Sequence, residues 1–195
     1  MRHKPLIIWD FDDVLFPLTE SWFAHRGKQM QSQITSFTEI IENPPHTLMG
    51  ITIEAYLESL DSFRISNEAQ EILPHKDIQN WFAMFGSDYN NEILTARPLH
   101  TLDAAKEWVA RHFPNYFQGF GFVPSPRPGV DISGYPASKR AFIEEVGLKP
   151  QYFIDDKAKT VADIAQIPGV KSILYPAPWN AARGLSTQPQ QLMNG

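Results

Sequence analysis

The chain has 195 residues, with 17 Lys and Arg against 22 Asp and Glu for a formal net charge of −5, and no cysteine. That length buries a core as one domain, or as one domain carrying an insertion. The acidic balance gives no broad basic surface for nucleic acid or anionic lipid, and the lack of cysteine excludes disulfides, thiol nucleophiles and thiolate metal sites. No stretch has the length of a membrane span, and the first apolar run stops at Asp10, too short for a signal peptide. A cytoplasmic protein is the expectation.

In chain order, the first predicted element is a strand over 6–10, Leu6-Ile7-Ile8-Trp9-Asp10, followed by Phe11-Asp12-Asp13-Val14-Leu15. A buried strand ending in acid delivers Asp10 to the sheet edge, and residues two apart on an extended chain share a side, so Asp10 and Asp12 can share one site. An acidic, solvated turn after the strand is the alternative. About sixty residues without a convincing strand come next, with helix-like segments near 20–41, 52–63 and 67–73, broken by Asn43-Pro44-Pro45. A helix over 75–85 follows Pro74 and ends before Gly86, burying Ile78, Trp81, Phe82 and Phe85. Strands over 91–95, 119–123, 151–154 and 171–175 then alternate with helices over 101–112, 137–146 and 157–166. Such alternation implies parallel pairing and right-handed crossovers, hence an α/β, doubly wound, five-stranded Rossmann-like sheet. The expected division is an α/β core of residues 1–15 and 74–185, a helical cap over 16–73, and a loose tail over 186–195.

Four features sit at strand ends or helix starts, where parallel sheets form their ligand crevice. They are Asp10/Asp12; Thr95 in Ile93-Leu94-Thr95-Ala96-Arg97-Pro98; Ser138-Lys139 opening a helix; and Asp155-Asp156 after Phe153-Ile154. Singly, Thr95 is also an ordinary strand residue, Lys139 a surface lysine and Asp155-Asp156 a helix cap. Together they crowd four carboxylates into one crevice with Lys139 as the only cation the motifs supply. Like-charge repulsion of that kind calls for a bound cation.

This ordered set resembles the haloacid dehalogenase-like (HAD) superfamily, whose phosphatases carry hhhhDxDx(T/V), a strand-end Thr or Ser, a Lys and a strand-end acid pair. The match is Leu6–Val14, Thr95, Lys139 and Asp155-Asp156, and the helical stretch lies where the family inserts a C1-type cap. Many members have Gly where this chain has Asp13, so a slightly different turn is expected there. The resemblance implies a magnesium-dependent phosphomonoesterase acting through an aspartyl-phosphate. Asp10 would be the nucleophile and Asp12 the acid and then base. Thr95 and Lys139 would hold phosphate oxygens. Asp10, the Asp12 backbone carbonyl and Asp155 would bind Mg²⁺, with Asp156 orienting a metal-bound water. Asp12 argues against dehalogenation, because a departing halide needs no acid.

For specificity, Trp22, Phe23, Phe37, Tyr56 and Phe63 in the cap can stack on a nucleobase or simply pack helices together. Arg97 can reach a substrate anion or serve a structural ion pair. Tyr175-Pro176-Ala177-Pro178-Trp179-Asn180 resembles a segment of deoxyribonucleotidase-like members, or is a turn packed by an indole. The expected substrate is a small phosphorylated metabolite such as a nucleotide monophosphate, with neither nucleic acid nor membrane as partner. The oligomeric state stays open. The alternatives are a catalytically silent HAD-fold binding module and a polynucleotide-end phosphatase, the latter needing a basic track beside the crevice.

Overall fold

The computed structural model describes residues 4–30 and 33–181; the expected tail over 186–195 lies outside the described residues. Five parallel strands form one sheet in the order β3-β2-β1-β4-β5. They are β1 (Leu6–Trp9), β2 (Asn90–Thr95), β3 (Phe117–Phe122), β4 (Tyr152–Asp155) and β5 (Lys171–Leu174). All five match the strands expected from the sequence, with ends shifted by one or two residues.

The central strand β1 and its neighbour β4, up to Asp155, read as continuous apolar runs because both faces are covered. Ile7 and Trp9 of β1, Ile93 of β2 and Ile154 of β4 enter one apolar cluster, while Ile8, Leu94 and Phe153 enter another. This is the period of two written into the core. Helices α5 (Lys76–Phe85) and α6 (Leu102–His112) supply Ile78, Trp81, Phe82, Ala105, Trp108 and Val109 to the first cluster. Helices α7 (Lys139–Val146) and α8 (Ala158–Ile164) supply Ile143 and Ile164 to the second. Gly121 lets α7 approach the sheet: a Cβ there would lie 2.6 Å from the Phe142 ring.

Between β1 and α5 the described residues hold four helices: α1 (Leu18–His25), α2 (His46–Met49), α3 (Ile53–Arg64) and α4 (Asn67–Gln70). The stretch near 20–41 is less helical than expected, with only short 3₁₀ turns at Gly27–Gln29 and Phe37–Glu39 after α1. Local side-chain bonds compete there: Thr35 donates its N–H and hydroxyl to the Glu39 carboxylate (3.0 and 2.9 Å), and the Ser36 hydroxyl accepts from the Thr38 N–H. Helix α4 stops at Gln70, short of the expected 73, as Pro74 disfavours helical backbone just before it. Helix α3 starts cleanly because the Thr52 hydroxyl accepts the Ala55 N–H at 3.2 Å. Trp22, Phe23, Tyr56 and Phe63 are buried, and Trp22 meets Tyr56 edge-on at 5.1 Å. These aromatics pack the helices onto the first cluster.

Phe82 is the hub of that cluster, with ring centroids of Trp9, Trp81, Phe113, Tyr116 and Phe117 between 4.8 and 5.2 Å away. Phe82→Ala is expected to lower the unfolding free energy by about 3–5 kcal/mol, measured by urea denaturation.

Candidate active site

The crevice lies at the carboxyl ends of β1, β2 and β4. Strand order reverses direction between β1 and β4, the place where open parallel sheets bind ligands. Asp10 follows β1 and continues its ladder, its N–H donating to the Ile154 carbonyl at 2.8 Å. The chain then folds tightly: Leu15 and Phe16 N–H groups both donate to the Phe11 carbonyl, and the Asp13 N–H donates to the Phe16 carbonyl. Asp13 takes φ 63°, the left-handed conformation glycine adopts at least cost and aspartate tolerates better than most. Its carboxylate is anchored by the Thr19 N–H (2.7 Å) and hydroxyl (2.6 Å). An acid thus stands at a glycine-type position without loss of the turn.

Lys139 binds the aspartates together. It opens α7, whose N-terminus is capped by the Ser138 hydroxyl accepting from the Ala141 N–H. Its ammonium is buried and lies 2.7 Å from both Asp10 Oδ1 and Asp155 Oδ2. Burial acts against this charge, but Asp10 and Asp155 outweigh it and raise the Lys139 pKa above its ordinary value. Asp10 Oδ1 also accepts the Phe11 N–H at 2.6 Å, whereas Oδ2 has no hydrogen bond among the described residues. Asp155, fully buried, accepts the Lys157 N–H on its other oxygen.

Carboxylate oxygens of Asp10, Asp155 and Asp156 lie within 4.8 Å of one another and can hold a metal ion. The donor set fits a hard cation that takes only oxygen ligands. Without one, burial pushes the Asp10 carboxyl up to about 7, helped by Asp155 and opposed by Lys139. Burial and the neighbouring Asp155 raise Asp156 well above the usual carboxylate range. Asp156 is positioned from the C-terminal segment: Trp179 Nε1–H donates to its Oδ2 at 2.9 Å, and Asn180 Nδ2–H donates to its carbonyl at 2.8 Å. Asn180 also closes its own turn through the Tyr175 carbonyl and Ala177 N–H, and Phe37 packs edge-on against Trp179. The indole of this segment therefore does more than fill a turn.

Asp12 faces two arginines, of which only Arg97 stood in a sequence motif. Asp12 Oδ2 accepts from Arg64 at 2.9 Å and lies 3.3 Å from Arg97 Nε, while Oδ1 is buried without a partner. Arg97 is buried over the Phe11 ring and reaches the Thr101 carbonyl, so it serves the ion pair with Asp12. Burial lowers its pKa to about 10. Arg64, at the last turn of α3, was not anticipated; its other nitrogen donates to Asp61 at 2.7 Å. Asp61 in turn receives two bonds from Arg127, in the loop beyond β3, at 2.6 and 2.9 Å. Burial works to raise the Asp61 pKa, but Arg127 and Arg64 outweigh it and hold the carboxyl below its ordinary value. Tyr56, Leu60 and Arg64, four residues apart on α3, line a cavity of about 40 Å³ together with Asp10, Asp12, Asp13, Thr95, Asp156 and Lys157. Thr95 Oγ1 is buried there with no partner. The structure thus places Asp10, Asp12, Thr95 and Asp156 around this one cavity, with Lys139 and Asp155 directly behind Asp10; Arg97 stands outside its lining.

No protein-family model matches the chain, and no curated protein sequence does. Solved structures do. The chain is similar to a hydrolase of Streptococcus pneumoniae TIGR4 at 15% identity and a TM-score of 0.52, with both chains covered in full. A haloacid dehalogenase-like family hydrolase of Streptococcus pneumoniae matches at 13% identity and TM-score 0.55, over 88% of this chain and 84% of that one. A HAD hydrolase of Bacillus subtilis, bound to magnesium, matches at 11% identity and TM-score 0.52 over 89% of each chain. The chain has the HAD-like fold.

Two outcomes are expected from this geometry. Trp179→Phe, which removes the hydrogen bond to Asp156, weakens divalent-cation affinity about 10- to 100-fold in titration calorimetry. The second concerns pH. A folded pKa of about 7 for Asp10 exceeds the ordinary 3.8. The metal-free folded chain therefore holds a proton that the unfolded chain releases, and stability falls as pH rises from roughly 4 to 7. A cation competes with that proton, so added Mg²⁺ raises Tm by more at pH 8 than at pH 5 in differential scanning fluorimetry.

Proposed function

We propose that the chain is a magnesium-dependent phosphomonoesterase of the HAD type, acting on a small phosphorylated metabolite. The observation that carries this reading is the convergence of Asp10, Asp12 and the unpartnered Thr95 hydroxyl on one small cavity, with Lys139 gripping Asp10 and Asp155 behind it. The HAD-hydrolase neighbours support it through their fold.

Asp10 is the nucleophile. Phe11 N–H and Lys139 both engage Oδ1, which orients the carboxylate and leaves Oδ2 to attack phosphorus. The ester P–O bond breaks, its electron pair goes to the leaving oxygen, and that oxygen takes a proton from Asp12 Oδ1. Water then attacks the aspartyl-phosphate and gives a proton back to Asp12 Oδ1, while the Asp10–phosphorus bond breaks and phosphate departs. Arg64 and Arg97 hold Asp12 by Oδ2, keeping Oδ1 for the proton. Thr95 Oγ1–H and the Lys139 ammonium bind non-bridging phosphate oxygens, the lysine as a point charge. Asp10, the Asp12 carbonyl and Asp155 would hold magnesium, with Asp156 beside them, and the ion would supply positive charge that offsets the aspartates and the phosphate.

The test is hydrolysis of an aryl phosphate. Turnover requires Mg²⁺ and stops on chelation; Asp10→Asn abolishes it, and Asp12→Asn lowers kcat about 10²- to 10⁴-fold. Undiminished activity in Asp10→Asn would overturn the mechanism.

A further inference from the structure

The 40 Å³ cavity has room for little more than a phosphoryl group. A second, open groove of about 790 Å³ shares Ala96 and Lys157 with it. That volume falls in the range of small-molecule sites. Four cations line this groove, Lys139, Arg140, Lys157 and Lys159, against one carboxylate, Asp163. In a chain with more acids than bases this is a local inversion of sign.

The pairing of those groups leaves charge unspent. Lys139 is committed to Asp10 and Asp155. Arg140 takes Glu144 at 2.8 Å and Asp163 at 3.4 Å. Asp163 stands four residues after Lys159 on α8, the usual helical partner position, but it faces Arg140 instead. Neither Lys157 nor Lys159 has a carboxylate within 4 Å among the described residues. Thr160 adds a hydroxyl to the same wall.

We propose that this groove receives a second anionic group, a phosphate or a carboxylate, carried by the same molecule whose phosphoryl group enters the aspartate cavity. The proposal rests on the phosphomonoesterase reading and narrows its substrate class to bis-anionic phosphate esters. Lys157 stands at the junction of the two spaces, and Lys159 with Thr160 recognises the distal group.

The experiment uses the full chain with Mg²⁺ and compares butyl and hexyl phosphate with 1,4-butanediol and 1,6-hexanediol bisphosphate. At least one bisphosphate is expected to exceed its matched monophosphate in kcat/KM by tenfold or more. That advantage shrinks as NaCl is raised and falls at least fivefold in Lys159→Glu. Equal kcat/KM within each pair, or an advantage that survives in Lys159→Glu, overturns the proposal. If no phosphate ester turns over, the phosphomonoesterase reading fails by itself. Titration calorimetry of hexane-1,6-bisphosphonate against hexylphosphonate then decides the groove: a tenfold tighter bisphosphonate, weakened by Lys159→Glu, supports it, and equal affinities overturn it.

Discussion

A buried ammonium held 2.7 Å from each of two buried carboxylates sets the terms for everything around it. Asp10 arrives from β1, Asp155 from β4 and Lys139 from the first turn of α7. Three separate elements must therefore be placed to within a few tenths of an ångström, and the sheet supplies that rigidity. β1 and β4 are neighbours in hydrogen-bonded register, and the first residue past β1 still donates to β4. Removing one member of such a triad would leave a buried charge unmatched, which costs more than the pairing gains.

The wider crevice extends the same logic. Asp10, Asp12, Asp13, Asp155 and Asp156 stand against Lys139, Lys157, Arg64 and Arg97. Lys139, Arg64 and Arg97 are each tied to particular carboxylates, while Lys157 has none within 4 Å among the described residues, so most of the arrangement is a set of local balances and not a diffuse field. The residue of negative charge falls on Asp10, Asp155 and Asp156, the three that converge. Among the described residues of this crevice, Thr95 Oγ1, Asp12 Oδ1, Arg64 Nε and Arg97 Nε are buried without a hydrogen-bond partner, and of these residues Thr95, Asp12 and Arg64 line the small cavity.

The sheet and the strand-end residues were legible in the sequence because each followed from a local pattern. An apolar run that stops in acid marks both a buried strand and the group at its end, as with Asp10 and Asp155. A Ser before a periodic segment marked the start of α7 and so the place of Lys139. Arg64 was invisible for the opposite reason. It lies 52 residues from Asp12 and reads as a basic residue closing an amphipathic helix, where the dipole favours one anyway. Trp179 had a legible ring but an illegible N–H, since only the fold says which acceptor it meets. Arg97 shows the limit in between: its two readings could be written down, and only burial against Phe11 and Asp12 chose the ion pair. The helices near 20–41 and 67–73 were overestimated because apolar spacing says nothing of Thr35–Glu39 bonds or of how far back Pro74 reaches.

Helix α3 carries Asp61 and Arg64 one turn apart, and each grips the core: Asp61 through the Arg127 loop, Arg64 through Asp12. The same helix face also roofs the small cavity with Tyr56, Leu60 and Arg64. Both ion pairs and one wall of the cavity therefore depend on the placement of a single helix, and a shift of α3 as a unit would alter the surroundings of Asp12 and the shape of the cavity together.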